Sequence, residues 1–354
     1  MSTTAIKALP VPAFFKPKAA EDMTYEPDQG ALFGAAEGWA KKHDLKPSGH
    51  DAKKVHLLLI DVQRDFCFPQ GSLYVGGRGG KGAMEDNRKI AEFMYKNLGR
   101  ITDVTCTMDT HFPYQIFFPS FWEDKDGKPL GAHTVIKSEM IKAGDVRPTA
   151  AAAQIVCEGN YPWLLNQVKH YCTELEKAGK YTLYLWPFHC LLGSTGHVLS
   201  GVVEEARMFH AFTRKSVDAV EVKGGNLLTE NYSVLSPEVL TRFDGKPLAQ
   251  RNTAFIKKLL DSDAVIIAGQ AASHCVKSSI EDLLNSINQQ DPKLVKKVYI
   301  MKDCMSAVAV PDGKGGFIAD FTPQAEKALK MFDDAGMHVV ESTTPMEDWE
   351  GFPA

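Results

Sequence analysis

The chain has 354 residues with a formal net charge of -4, 24% charged and 44% hydrophobic residues. This ordinary globular balance, with no basic block, excludes a nucleic-acid-binding surface and points to a small uncharged partner. Seven scattered cysteines without a C-x-x-C pair exclude a disulfide framework and a zinc ribbon, which implies reduced thiols in a cytoplasmic setting.

The first 18 residues lack a basic segment followed by an apolar stretch, and no apolar run reaches bilayer-spanning length, so neither secretion nor membrane insertion is expected. Residues 1–54 carry Pro10, Pro12, Pro17 and Pro27 among mixed charges. They read as an extension or arm outside the core, with a short helix over 30–42, and as a candidate subunit contact in a homo-oligomer. The main domain is expected over 55–345, with an insertion at about 122–180 and a patternless tail over 346–354.

Residues 55–60 form a continuous apolar strand that runs into Asp61. Ligands of open parallel sheets sit at the carboxyl ends of strands, which places this carboxylate well for chemistry. The next loop holds Phe66 and Phe68 and is too aromatic for a solvated turn. The glycine-rich run 76–82 lacks the Ser or Thr after Lys81 and the earlier glycine of a phosphate loop, and reads as a turn entering a helix over 84–98.

A second strand over 103–108 ends in Asp109, Thr110 and His111. An aspartate and a histidine two apart at a strand end can reach one divalent ion, or both can simply face water. The stretch 112–180 is irregular, with an aromatic cluster including Trp122 and a helix over 161–176. A third strand over 181–185 leads to His189 and then to a helix over 197–212. Asp109, His111 and His189 would leave coordination positions open, as a catalytic metal site does. Residues 217–222 alternate like a strand with one wet face and deliver Lys223.

The run 264–268 is a short β-branched strand closed by Gly269, and from Val276 the apolar positions Ile280, Leu283, Leu284 and Ile287 follow helical spacing. Cys275 thus falls in the first turn of a helix, where unpaired backbone N–H groups and the dipole favour a thiolate. Taken alone, such a cysteine also suits a buried packing role. A helix over 252–260, strands over 297–301 and 338–340, and a helix over 323–335 complete the pattern. The expected fold is α/β: a three-layer α/β/α Rossmann-like arrangement with a six-stranded, mainly parallel sheet.

Five blocks carry a resemblance: 59–66 (Leu-Ile-Asp-Val-Gln-Arg-Asp-Phe) with Gly71, Ser72 and Leu73; 109–111 (Asp-Thr-His); 186–190 (Trp-Pro-Phe-His-Cys); 222–224 (Val-Lys-Gly); and 269–276 (Gly-Gln-Ala-Ala-Ser-His-Cys-Val). In this order, across 55 to about 310, the chain resembles the isochorismatase-like cysteine hydrolases, and within them the nicotinamidases. The tryptophan of that family's metal motif is Thr110 here.

The resemblance implies Asp61 as general base, Lys223 as the charge-holding cation and Cys275 as nucleophile. It implies a cis peptide at Gln270–Ala271 and an oxyanion hole made by the backbone N–H groups of Ala271 and Cys275. It also implies Asp109, His111 and His189 as ligands of a divalent metal, zinc first, with iron(II) and manganese(II) as alternatives. Phe66, Phe68 and Trp122 are the candidates for stacking the substrate ring. The implied reaction is hydrolysis of nicotinamide or a close aromatic amide to the acid and ammonia through a thioester. Two alternatives stand beside it: a metal-independent hydrolase of another small amide or of isochorismate, and a non-catalytic assembly or binding subunit.

Overall fold

Six strands make the central sheet: β1 (Val55–Ile60), β2 (Asp103–Asp109), β3 (Asp218–Lys223), β4 (Ala264–Gly269), β5 (Val298–Met301) and β6 (His338–Val340). Their order is β6-β5-β4-β1-β2-β3, and every pairing is parallel. This computed structural model describes residues 8–179 and 181–353. The first seven residues of the expected arm, Lys180 of the insertion and Ala354 of the tail lie outside the described residues.

Side chains leave a strand alternately to its two faces. Leu57 and Leu59 of β1 therefore enter one hydrophobic core, and Leu58 and Ile60 enter the other. Both faces are covered, which is why β4 reads as an unbroken apolar run and β1 as an apolar run broken only by the buried His56. The longer helices are α1 (Gln29–Lys42), α2 (Gly82–Lys96), α3 (Tyr161–Ala178), α4 (Gly201–Arg214), α5 (Thr253–Asp261), α6 (Cys275–Gln290) and α7 (Thr322–Asp334). Ala36 of α1, Ile90 of α2 and Phe209 of α4 pack on one face. Val168 of α3, Leu259 of α5, Ile280 of α6 and Phe332 of α7 pack on the other. The expected three layers are present, and the sheet is wholly parallel.

One expected strand lies elsewhere. Leu183–Tyr184, within the predicted run 181–185, pairs antiparallel with Val135–Ile136 in a separate two-stranded ladder. The place beside β2 is taken by β3. A second small ladder, Trp122–Asp124 with Val146–Pro148, the short helices Ser138–Ala143 and Ala150–Cys157, and α3 complete the insertion. Leu164, Val168 and Leu175 seal this insertion onto the core.

The amino-terminal segment packs on its own chain, with α1 against α4. The rings of Phe14 and Phe209 meet edge to face with centroids 5.0 Å apart. Tyr25 Oη donates to Glu205, and Arg64 Nη2 donates to the Tyr25 carbonyl at 3.2 Å and pairs with Glu26 at 2.5 Å. The arm is tied in this way to the segment that follows Asp61. No described helix is long and apolar enough to cross a membrane.

The tail also departs from its patternless reading. Trp349 stacks on Phe93 at 5.7 Å and on Tyr299 at 5.6 Å and is 5% exposed. Truncating a buried aromatic to alanine removes transfer energy and leaves a cavity, about 3–5 kcal/mol in typical cores. Trp349→Ala is therefore expected to destabilise the protein by about 3 kcal/mol in denaturant titration. A loss below about 1 kcal/mol would show that the tail is not part of the fold's support.

Candidate active site

The strand order reverses at β1, with β4 on one side and β2 on the other, and such a point opens a crevice at the carboxyl ends of the strands. Asp61 follows β1, Asp109 ends β2, Lys223 ends β3, and Cys275 begins α6 one turn after β4. The crossing after β4 is tight: a Cβ on Gly269, which has φ +117°, would lie 2.1 Å from the Ile60 carbonyl oxygen. Only glycine fits there.

These strand ends converge on one ammonium. Lys223 Nζ lies 2.9 Å from Asp61 Oδ2 and 2.9 Å from Asp109 Oδ1. It donates to Cys275 Sγ at 3.6 Å and to the Asn231 carbonyl at 3.0 Å. Asp61 Oδ1 accepts from the Thr107 hydroxyl at 2.5 Å, and the Asp61 N–H donates to Thr107 Oγ1 at 3.0 Å. The ligand-type atoms of Asp61, Asp109 and Cys275 all lie within 4.8 Å of one another. Asp61 itself sits at φ +47°, a left-handed conformation that non-glycine residues adopt sparingly and that clusters at functional sites.

Burial governs the proton affinities. It raises the Asp61 carboxyl above the usual carboxylate range, with Lys223 partly opposing and Asp109 reinforcing the rise. Burial would lower the Lys223 ammonium, but Asp109 and Asp61 carry it well above its usual value. Burial would raise Asp109, yet His111 and Lys223 reverse this and hold it well below the usual range. Because burial also lowers His111, Lys223 is the lasting positive charge. The Cys275 thiol is pushed well above its usual value, first by burial, with Lys223 opposing and Asp61 and Asp109 adding. Burial thus works against the thiolate that the helix position favours.

Asp109, His111 and His189 form a second constellation, with ligand-type atoms within 4.8 Å of one another. Asp109 Oδ2 lies 2.9 Å from His111 Nε2 and 3.7 Å from His189 Nε2. The other ring nitrogens face carbonyls: His111 Nδ1 to Gly224 O at 3.3 Å, and His189 Nδ1 to Pro187 O at 2.8 Å. That pattern makes Nδ1 the N–H and leaves both Nε2 lone pairs aimed at the carboxylate, as metal-binding histidines are held. Gly224 is required beside them, since a Cβ there would meet His111 Cε1 at 2.7 Å and Asp109 Oδ1 at 2.8 Å. This donor set fits a divalent ion of zinc type.

A cavity of about 40 Å³ joins the two constellations. Among its walls are Phe66, Asp109, His111, His189, Ala271 and Cys275. The Phe66 ring lies 5.5 Å from that of His189. Phe68 and Trp122, expected at the substrate, are not there. Both are fully buried in the two cores, and Trp122 Nε1 donates to the Ile116 carbonyl at 2.5 Å. They are packing residues. The Gln270–Ala271 peptide is cis. Among the hydrogen bonds of the described residues, the Ala271 and Cys275 N–H groups donate to no protein acceptor, whereas Ala272, His274 and Val276 each do.

Glu230, Tyr232 and Trp186 also line the cavity without having been assigned a role from sequence. Trp186 Nε1 donates to Glu230 Oε1 at 3.0 Å and to Tyr232 Oη at 2.9 Å. No local pattern announces Glu230, which arrives on an irregular loop after Lys223. Thr107 did carry a signal: it stands two residues before Asp109 on a strand, and so on the same face.

No family model matches the sequence, and no curated protein matches it. The chain is similar to solved nicotinamidases and pyrazinamidases. One is the yeast nicotinamidase Pnc1p bound to the inhibitor nicotinaldehyde, at 18% identity over 81% of this chain and 99% of that one, with a TM-score of 0.49. PnC1 from L. infantum in complex with nicotinate is 18% identical over 84% and 96%, with a TM-score of 0.45. The pyrazinamidase of Pyrococcus horikoshii in complex with zinc is 17% identical over 81% and 99%, with a TM-score of 0.43.

Proposed function

We propose that the chain is an isochorismatase-like cysteine amidohydrolase that converts nicotinamide, or a close aromatic amide, to the acid and ammonia. The observation that carries this reading is the Lys223 ammonium, 2.9 Å from both Asp61 and Asp109 and 3.6 Å from the Cys275 thiol, beside a metal-type donor trio in one cavity. Asp61, with its raised proton affinity, takes the thiol proton, and Lys223 stabilises the charge that remains. Cys275 Sγ then attacks the amide carbonyl, and the Ala271 and Cys275 N–H groups receive the oxyanion. Asp61 returns the proton to the departing nitrogen, so ammonia leaves and a thioester stays on Cys275. Asp61 next deprotonates a water that attacks the thioester, releasing the acid and the thiol.

A divalent metal held by Asp109, His111 and His189, of zinc, iron(II) or manganese(II) type, would supply a Lewis-acid anchor for a ring nitrogen of the substrate. The test is ammonia release from nicotinamide, pyrazinamide and an aliphatic amide, with and without chelator. Turnover of the heteroaromatic amides that falls on chelation and returns with metal is expected. His189→Ala should raise KM and lower bound metal. Chelator-insensitive turnover, with metal content unchanged in His189→Ala, would favour the metal-independent hydrolase instead. No release from any amide would sink the proposal.

A further inference from the structure

Asp86, on α2, takes no part in the chemistry above, yet it is 5% exposed and faces the turn that carries the nucleophile. Its Oδ2 accepts from Gln270 Nε2 at 2.8 Å, and it hydrogen-bonds the Ser306 hydroxyl. Gln270 Oε1 in turn accepts from the Ser306 N–H at 3.3 Å. The Ser306 carbonyl accepts from the Ala272 N–H at 2.8 Å, and the Gln270 N–H donates to the Ile60 carbonyl at 2.7 Å. Ser273 Oγ accepts from the Val308 N–H at 3.1 Å. The turn from 270 to 275 is thereby held from three sides: by β1, by α2 and by the segment at 306–308. The contact with α2 is close, since a Cβ on Gly82 would lie 2.3 Å from Ser306 Oγ.

The residues on either side of Ala271 are thus pinned, while Ala271 and Cys275 keep their N–H groups free of protein acceptors. Fixed donors aimed at a developing charge are effective because they need no reorganisation during the reaction, and their aim depends on the groups behind them. We infer that Asp86 is a positioning residue, holding the 270–275 turn through Gln270 and Ser306 so that the Ala271 and Cys275 N–H groups converge on the oxyanion. This inference rests on the amidohydrolase reading of the same site.

The experiment compares Asp86→Ala, Asp86→Asn and Gln270→Met with the wild type in kcat, KM and the affinity for two probes. One probe is the aldehyde corresponding to the best amide substrate. Cys275 Sγ adds to its carbonyl carbon, the C=O π bond breaks, and the thiol proton passes to Asp61, leaving an oxyanion before the donors. The other probe is the acid product, which makes no such adduct. In Asp86→Ala, kcat is expected to fall about 10- to 100-fold with KM within twofold. Aldehyde affinity should fall by the same factor and acid affinity should stay constant.

Asp86→Asn, which still offers an oxygen to Gln270 Nε2, should recover most of the loss. Gln270→Met cuts the same link from the other end and should reproduce it, even where Asp86→Ala fails to fold. Unchanged kcat in Gln270→Met, or equal losses for aldehyde and acid, overturns the positioning role while leaving the amidohydrolase reading intact. A wild type that releases no ammonia and binds no aldehyde overturns both.

Discussion

Cys275→Ala is expected to lower ammonia release by about 10⁴-fold or more while the protein keeps its fold, because loss of a nucleophile in a concerted site costs on that scale. The thiol is the atom the site is built around: it receives a hydrogen bond from Lys223 and sits at the first residue of α6. Alanine removes that atom without disturbing the Lys223 pairs to Asp61 and Asp109. Steady-state rates and thermal melting of the same preparations check this. Turnover within tenfold of the wild type would mean that another group attacks the amide. A collapse in melting temperature would mean that the activity loss reports unfolding.

Much of the fold could be read from the chain because each layer leaves a periodic trace. β4 is apolar without interruption and β1 is apolar apart from the buried His56, since both their faces are covered, and the helices show one apolar stripe each. The convergence of Asp61, Asp109 and Lys223 was legible because all three lie at strand ends, and a parallel sheet gathers its strand ends along one edge. The strand at 181–185 was misplaced because two apolar residues next to a polar turn look alike in a central sheet and in a satellite ladder. Phe68 and Trp122 were misassigned because an aromatic ring in a stretch without clear periodicity carries no mark of the direction in which it points.

The protonation of Cys275 escaped for a related reason. Position in a helix reveals the dipole, but desolvation depends on what covers the group, and the covering residues come from distant segments such as Glu230–Tyr232 and Val308. Tertiary burial therefore opposes a local electrostatic expectation. The same holds for Asp86: in sequence it is one acid on a helix, and only packing against Gln270 and Ser306 gives it a place behind the nucleophile's turn.

Lys223→Met should produce the largest combined effect on activity and stability. The substitution keeps most of the aliphatic volume and removes the charge that two buried carboxylates share at 2.9 Å. Breaking a buried ionic cluster by removing one partner costs about 3–5 kcal/mol, since the remaining charge is left uncompensated. In the wild type, Asp109 is held well below its usual value, so its contribution is present above the unfolded carboxylate range and is lost as acid protonates it. Lys223 is raised, so its contribution is present at neutral pH and is lost only in strong base.

Without the ammonium, burial and the nearby Asp109 raise the Asp61 carboxyl further, and a raised carboxyl loses stability as pH climbs from the unfolded value through the folded one. The deficit of Lys223→Met relative to wild type is therefore expected to be small near pH 4 and to widen toward pH 8. Thermal melts of chelator-treated protein across that range measure it. Added divalent metal should narrow the gap at pH 8, because an ion at Asp109, His111 and His189 replaces part of the positive charge lost beside Asp109. Activity should fall by about 10³-fold or more even with metal present, since no charge then steadies the Asp61–Cys275 pair. A deficit that is constant from pH 4 to pH 8 would show that Lys223 contributes packing alone, and would remove the electrostatic basis for Asp61 acting on the thiol.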